Sequence, residues 1–213
     1  LDRAISSQKT VSNEEETIQF ESLPTVRGNE NLELLLNAIN QKQIVQFSYY
    51  NFVKEEKTVR RVHPYLLKEY RNRWYLIGKS ELKNKVVTFG LDRIFDPIVL
   101  ESNYTLDKKF NPEHYFKHAI GITVYDQLPN KVIIETNPIL SKYLLSQPLH
   151  HSQELVVVKP NGNHQFSFYL LITYELKMLL MGFGKQCKII APEAFKKEVL
   201  SELKTVLTVY ENE

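Results

Sequence analysis

The amino-acid sequence predicts an α+β fold in two parts: a small five-stranded β-barrel, followed by a domain of β-α-β-β-α-β order. Short stretches rich in β-branched and aromatic residues follow one another between residues 44 and 101, separated by polar turns, which is typical of a small barrel. After residue 123, stretches of strand period alternate with stretches of helical period. With 213 residues, 43% of them hydrophobic, the chain is long enough to bury a core in each part.

The first part begins with a helix and continues with strands. Apolar residues recur at helical spacing from Leu32 to Ile39, so a helix is expected at 32–40, with Asn29 or Asn31 as its cap. Strands are expected at 44–51, 59–70, 73–80, 85–91 and 95–101. A helix in front of five short strands is the outline of an Sm-like or SH3-like barrel, which we place at residues 29–104.

The second part is expected at residues 123–213, after a connector at 105–122 with a short helix behind Asn111-Pro112. Strands are predicted at 131–136, 154–159, 164–173 and 186–190, and helices at 138–146, 174–182 and 192–210. Asn161-Gly162 marks a hairpin turn, and Gly182 and Gly184 end the second of these helices. This order predicts a ferredoxin-like domain with an added C-terminal helix.

Residues 1–28 are polar, with an acidic run at Glu14–Glu16, and we interpret them as a linker with a short extended piece at 17–21. Because the first residue is Leu rather than Met, the chain is expected to be a fragment of a longer protein. The beginning lacks the apolar core of a signal peptide, and the sequence has no apolar run of the ~20 residues that a membrane helix needs. Cys187 stands alone, which excludes an internal disulfide and agrees with a reducing, cytoplasmic location.

Charge is distributed unevenly, although the net charge is only +2. Between Lys57 and Arg93 there are ten Lys or Arg residues and three acidic residues, which predicts a local anion-binding surface. No nucleophile stands at a recognisable spacing from a base, so we predict no catalytic residue and no cofactor. His114 and His118 are four residues apart, but no cysteine or carboxylate set completes a metal site, and none is predicted.

Four segments resemble, in order and spacing, the WYL domain of bacterial transcription regulators: Tyr49-Tyr50, the strand around Pro64, Trp74–Gly78 and Phe89–Ile94. Residues 138–149 and 175–192 are similar to the C-terminal extension that follows this domain, so that the resemblance covers residues from about 17 to 210.

The resemblance implies a dimeric sensor that binds an anionic effector, with nucleotides and single-stranded nucleic acid as the effectors linked to the family. Such proteins carry an N-terminal helix-turn-helix that binds duplex DNA. Residues 1–28 are too short and too polar for one, so the DNA-binding domain is expected outside this chain. A homodimer is expected, and no membrane partner.

The candidate binding residues lie around the tripeptide Trp74-Tyr75-Leu76, whose Trp74 and Leu76 are themselves expected in the core. Residues two apart on a strand share a face, so Arg61, His63 and Tyr65 are expected to project together. Guanidinium groups bind phosphate and aromatic rings stack on bases, so this face suits a nucleotide or a short single strand. The complete candidate set is Arg61, His63, Tyr65, Arg93, Tyr49, Ser48 and Arg73.

Two points stay open from the sequence. Arg93 stands where the family keeps an arginine, but it could instead pair with Asp92 or Glu69. The alternative function is a module that binds single-stranded nucleic acid directly, without a signalling role. An enzyme acting on nucleotides is a third class, and it lacks a visible catalytic set.

Overall fold

The computed structural model describes residues 27–108 and 110–211. The extended piece predicted at 17–21 lies outside these residues, as does all of the predicted linker except Arg27 and Gly28. Within the described residues there are two antiparallel sheets, one of five strands and one of four. The predicted α+β class, with a five-stranded unit followed by a ferredoxin-like one, is confirmed.

The first sheet has the strand order β4-β3-β2-β1-β5. The helix in front of it is α1 (Leu32–Gln41), and the strands are β1 (Gln43–Asn51), β2 (Glu56–Tyr70), β3 (Arg73–Ser80), β4 (Lys85–Gly90) and β5 (Ile94–Asn103). A 3₁₀ turn at Asn29–Asn31 leads into α1, and Asn31 is the N-cap residue, one of the two predicted, although its side chain makes no capping hydrogen bond.

The long strand β2 lies at the centre of the first sheet, where its first half pairs with β1 and its second half with β3. One face of the sheet and α1 enclose a core that includes Leu35, Phe47, Leu76 and Phe89. Trp74 packs against this core, so the expected core position of Trp74 and Leu76 is confirmed. Burial of each such side chain contributes roughly 1.5–3 kcal/mol.

A connector joins the two sheets, and it contains the predicted short helix, α2 (Pro112–Phe116). Proline at the first position and the Asn111 side chain, which accepts from the backbone N–H of His114 at 3.0 Å, fix its start. Tyr104, at the end of the first sheet, donates its hydroxyl to the carbonyl oxygen of Pro64. The backbone N–H of Leu171 donates to the carbonyl oxygen of His118 at 2.7 Å, which ties the connector to the second sheet.

The second sheet has the order β7-β8-β6-β9, and its elements follow the predicted β-α-β-β-α-β path. They are β6 (Asn130–Thr136), α3 (Pro138–Ser146), β7 (Glu154–Val158), β8 (His164–Leu170), α4 (Tyr174–Gly182), β9 (Cys187–Ala191) and α5 (Glu193–Glu211). β8 ends earlier than predicted because Thr173 is the cap of α4 and accepts from the backbone N–H of Leu176 at 3.3 Å. Gly162 takes a φ of 83° in the predicted hairpin turn.

Cys187 packs against the core of the second sheet, and burial raises the pKa of its thiol to about 12. The thiol therefore stays protonated and unreactive at neutral pH. Among the described residues, no helix is long and apolar enough to cross a membrane.

Candidate anion-binding cleft

The outer face of the first sheet carries cations and aromatic rings in register. Tyr50 on β1 pairs with Lys57 on β2, and Ser48 pairs with Phe95 on β5. Residues directly opposite each other in an antiparallel pair project to the same side. The neighbouring positions Val45 and Phe47 are buried in the core, so this side faces outward.

At one end of this face is a cleft of about 410 Å³, which we call the basic cleft. It is lined by Arg27, Tyr50, Phe52, Lys57, Asp92 and Phe95. The Phe95 ring holds two cations: Lys57 Nζ lies 4.0 Å from the ring centroid and Arg27 Cζ lies 4.2 Å from it. Cation–π contacts of this kind hold the positive charges at the cleft without neutralising them.

Arg93 lies next to residues of the basic cleft, and its guanidinium group contacts two aromatic rings. Its Cζ lies 5.2 Å from the ring centroid of Tyr49 and 5.3 Å from that of Phe52. Its Nε is buried and has no hydrogen-bond partner among the described residues. A buried donor without an acceptor costs free energy, so this N–H marks a position where an acceptor from a ligand would be stabilising.

Asp92 is the single acid among the described residues that line the basic cleft. Its Oδ1 lies 3.8 Å from Arg93 Nε and its Oδ2 lies 3.6 Å from Arg73 Nη1. Both distances exceed that of a normal charged hydrogen bond, so the carboxylate attracts both arginines without saturating either. Arg93 therefore does pair with Asp92, the alternative that the sequence left open, but only as a long ion pair.

Arg61 lies on the same outer face, four residues along β2 from Lys57, which corresponds to roughly 13 Å of strand. It is exposed, and its Nε donates to Gln46 Oε1 at 2.9 Å. The outer face therefore extends from the basic cleft toward Arg61, with Ser48 between the two.

The side chains of His63 and Tyr65 are engaged in contacts with neighbouring side chains of the protein. The His63 ring stacks on Tyr104 with centroids 5.1 Å apart, and its Nε2 lies 3.2 Å from Glu81 Oε1. Tyr65 is only 8% exposed and packs against Tyr104 and Phe110. The strand alternation that placed Tyr65 beside Arg61 does not continue through a bulge between Pro64 and Leu66.

Tyr49 projects toward the core, where its ring meets Phe47 and Phe89 edge to face. Its hydroxyl accepts from the backbone N–H of Gly90 at 3.3 Å. Burial raises the pKa of this phenol, and the positive charge of Arg93 opposes the rise. The Tyr49 ring therefore packs against the Arg93 guanidinium group, and its phenol stays protonated at neutral pH.

Sequence reasoning missed Arg27, Tyr50, Phe52, Lys57 and Phe95. The hairpin pairing of Tyr50 with Lys57 could have been found by extending β2 back to Glu56, since residues opposite each other share a face. Arg27 could not be found in this way, because it lies outside any strand, in the polar stretch before α1.

The histidines of the connector do not form a metal centre. His118 Nδ1 lies 3.1 Å from the carbonyl oxygen of Tyr169, and His114 borders a shallow cleft with His150 and His151. In residues 27–108 and 110–211, no three or more His, Cys, Asp or Glu side chains are grouped so that they could hold a metal ion.

The fold defines a two-part protein in which a small five-stranded sheet with a cationic outer cleft precedes a ferredoxin-like domain. Residues 30–99 match the WYL domain, and residues 136–207 match the WCX domain. The chain therefore contains a WYL domain followed by a WCX domain, which confirms the resemblance seen in the sequence.

Among curated proteins, the chain is similar to Protein PafB of Mycobacterium tuberculosis, with 40% identity over 70 residues, and to Protein PafB of Mycobacterium leprae, with 39% identity over 71 residues. These matches cover 32% and 33% of this chain, and 21% and 22% of the relatives. The chain thus matches about a fifth of the length of these relatives.

Two solved structures are also similar. Proteasome accessory factor B/C (PafBC) of Arthrobacter aurescens aligns with 91% of this chain and 29% of its own, at 17% identity and a TM-score of 0.37. A CRISPR Cas-related protein aligns with 87% of this chain and 51% of its own, at 18% identity and a TM-score of 0.49.

Proposed function

We propose that this chain is the effector-sensing part of a WYL-type transcriptional regulator of the bacterial cytoplasm. Its basic cleft binds a nucleotide or single-stranded nucleic acid. Binding is transmitted to an N-terminal domain, outside this chain, that holds duplex DNA. The WYL domain and the WCX domain that follows it support the regulatory class. The proposed role is non-enzymatic, and it uses no cofactor.

Two observations carry the proposal: the Nε of Arg93 is buried without a hydrogen-bond partner among the described residues, and the cleft that Phe52 and Asp92 line next to it holds two further cations over Phe95. A phosphate oxygen would supply the missing acceptor, and Arg27 and Lys57 would share its charge. Phe95 and Phe52 offer flat surfaces on which a base can stack, worth about 1–3 kcal/mol per base. A phosphate next to a base is the chemistry that this arrangement fits best.

The candidate residues divide into two roles under this proposal. Arg93, Arg61, Arg73 and Ser48 contact the ligand together with the five residues found in the structure. Tyr49, His63 and Tyr65 support the site from within, because their rings are engaged with other side chains.

The test is fluorescence anisotropy with a labelled oligothymidylate of about ten nucleotides, within the usual range of single-strand site sizes. Unlabelled mononucleotides and duplex DNA serve as competitors. We expect the single strand or a mononucleotide to bind, and Arg93→Ala with Arg61→Ala to abolish binding. The matched control is Arg60→Ala, since Arg60 neighbours Arg61 but pairs opposite the buried Phe47. Equal binding by the double variant and the wild type would refute the site.

The alternative is a module that binds single strands directly, and measurements on the full regulator distinguish it from a sensor. A sensor changes its affinity for duplex operator DNA when the single strand or nucleotide is added. A direct binder does not. This comparison decides between the two functions once binding has been measured.

We also propose that the chain forms a homodimer, and exposed apolar residues on α5 support this. Leu200, Leu203, Leu207 and Tyr210 recur at spacings of three, four and three residues and are between 48% and 75% exposed. An antiparallel copy of α5 would bring these residues into one seam. Analytical ultracentrifugation should find a dimer for the wild type and a monomer for Leu203→Glu with Leu207→Glu. A monomeric wild type would refute this part of the proposal.

A further inference from the structure

Three histidines and a lysine share one cleft where the connector meets the second domain. The cleft has a volume of about 410 Å³ and lies between α2 and the loop that precedes β7. It is lined by Glu113, His114, Phe116, Lys117, Ala119, His150 and His151. Glu113 is the single acid among the described residues of this lining, so positive charge gained in the cleft is poorly compensated.

The His150 ring is held in place as a hydrogen-bond acceptor. Its Nδ1 accepts from the backbone N–H of Ser152 at 3.2 Å and from the Ser152 hydroxyl at 2.8 Å. A ring nitrogen that accepts from an N–H carries no proton, so the neutral ring has its proton on Nε2. The turn at 150–152 therefore requires the uncharged form of His150.

The same hydrogen bonds continue to the connector through the end of β8. The Ser152 hydroxyl oxygen accepts from the backbone N–H of Tyr169 at 3.0 Å. The carbonyl oxygen of Tyr169 accepts from His118 Nδ1 at 3.1 Å, and the rings of Tyr169 and His118 meet edge to face with centroids 5.1 Å apart. His150 is thus joined to His118 of the connector through Ser152 and Tyr169.

A second proton can enter the neutral His150 ring only at Nδ1. The backbone N–H of Ser152 would then lose its acceptor, which costs free energy. The Ser152 hydroxyl would have to turn from donor to acceptor, at the oxygen that the N–H of Tyr169 already uses. Protonation of His150 therefore disrupts the hydrogen bonds that lead to the connector.

The titratable and charged groups around His150 lie on three elements. They are His151 on the same loop, Glu113, His114, Lys117 and His118 on the connector, and Tyr169 on β8. The His151 ring is the nearest, with its centroid 4.0 Å from that of His150. Burial lowers the pKa of His150, the charges of His151 and His118 lower it further, and a backbone hydrogen bond with Lys117 opposes the decrease.

We propose that protonation of His150 at Nδ1 loosens the connector from the second domain, so that this contact is a pH-sensitive switch. A histidine whose pKa is lowered in the folded state stabilises it fully above the ordinary value of 6.5. That contribution is lost as the pH falls from 6.5 through the lowered value. The proton comes from solvent, and the inference does not depend on the proposed function.

The test is hydrogen exchange on the whole chain at pH 7.5 and pH 5.0, expressed as protection factors, which correct for the intrinsic pH dependence of exchange. Protection at 117–120 and 169–171 should fall by about three- to tenfold at the lower pH. Protection at 132–134 in β6 should stay within about twofold. Unchanged protection at 169–171, or an equal fall at 132–134, overturns the proposal.

Two substitutions separate the charge of His150 from its shape. In His150→Asn, the side-chain oxygen can accept from the N–H two residues later but takes no proton, so the pH effect should shrink to less than about 1.5-fold. His150→Lys carries a fixed charge and should show at pH 7.5 the low protection of the wild type at pH 5.0. A full pH effect in His150→Asn overturns the proposal.

The matched control is His164→Asn, since His164 lies in the same domain but outside the lining of the cleft, with its Nδ1 3.0 Å from the carbonyl oxygen of Gly162. The pH effect at 169–171 should persist in this variant. Its loss would show that any histidine of the domain suffices, and it would overturn the specific role of His150.

An NMR titration of the wild type needs no substitution, so it decides the matter even where a variant fails to fold. The Cε1–H signal of His150 should titrate below pH 6.5, with the same midpoint as the change in protection at 169–171. A change in protection that follows the titration of His118 or His151 instead, while His150 stays neutral, contradicts the proposal.

Discussion

The basic cleft of the first sheet and the carboxylate of Glu135 in the second sheet differ in how far their charged groups are satisfied by hydrogen bonds. Glu135 accepts from Lys159 Nζ at 2.6 Å, from Asn163 Nδ2 at 3.0 Å and from Gln165 Nε2 at 3.0 Å. The Nε of Arg93 is buried, and none of the residues that the structure describes accepts a hydrogen bond from it. The hydrogen bonds of Glu135 are complete without a ligand, whereas those of Arg93 are incomplete.

This difference teaches how to separate stabilising charges from functional ones in the same chain. A satisfied carboxylate lowers the free energy of the folded state, whereas an unsatisfied guanidinium is retained at a cost to stability. Substitution at Glu135 should therefore change stability without changing binding, and substitution at the cleft should do the reverse.

The largest expected effect is on binding by Arg93→Ala. Loss of a charged hydrogen bond costs about 1.5–3 kcal/mol, so the Kd for labelled oligothymidylate should rise by roughly 10–150-fold. Since Arg93 Nε makes no hydrogen bond to the described part of the chain, the Tm should fall by less than about 2 °C. Anisotropy and thermal denaturation measure the two quantities. A large loss of stability with unchanged Kd would reverse the comparison.

Next in size is the stability effect of Glu135→Gln. The side chain is 15% exposed and loses charge-assisted bonds to three donors, so the free energy of unfolding should fall by about 1–2 kcal/mol. For a chain of this size that corresponds to a Tm lower by roughly 2–8 °C. Oligonucleotide affinity should not change. Glu154→Gln changes an exposed carboxylate on β7, the edge strand of the same sheet, and as the control it should leave both quantities unchanged.

The pH dependence of stability sharpens the same contrast. The hydrogen bond from Lys159 and those from two amides lower the pKa of Glu135 from 4.5 to about 2. A carboxyl group whose pKa is depressed in the folded state stabilises the fold above its unfolded pKa, and this contribution is lost as the pH falls toward about 2. Urea denaturation between pH 6 and pH 2 should show a smaller loss in Glu135→Gln than in the wild type. Parallel curves would contradict the assignment.

The smallest expected effect is that of Lys57→Ala, which removes a cation held over Phe95. One phosphate contact fewer should reduce the slope of log K against log salt by about 0.7 for a single strand. At low salt the affinity should fall only about two- to fivefold, since exposed charges contribute little individually. Anisotropy titrations at several salt concentrations give the slope. An unchanged slope would place Lys57 outside the binding surface.

Most of the fold could be predicted because its signals are local. α3 and α4 were predicted at their observed bounds, since Pro138 and Thr173 fix their starts and Gln147 and Gly182 lie at their ends. Strand β2 begins three residues earlier than predicted, because the polar run at Glu56 gives no alternation to detect.

The candidate site could be predicted only in part, because it depends on pairing between distant segments. Arg93 and Arg73 were named from the sequence and lie within 4 Å of Asp92, while Ser48, also named, pairs with Phe95; Asp92 and Phe95 both line the cleft. Arg27 and Phe95 meet only after the chain has folded. Tyr65 shows the opposite failure, since a local alternation rule placed it outward and a bulge at Pro64–Leu66 changed the register.

The most direct test of the central claim is an NMR titration that follows the Nε–H group of Arg93. The chain is labelled with ¹⁵N, the arginine Nε–H signals are assigned by substitution, and unlabelled oligothymidylate is added in steps. The account predicts a saturable shift and slower solvent exchange for the Arg93 signal, with the Arg60 signal unchanged. A binding isotherm in which Arg93 stays unperturbed, or no binding at all, would contradict it.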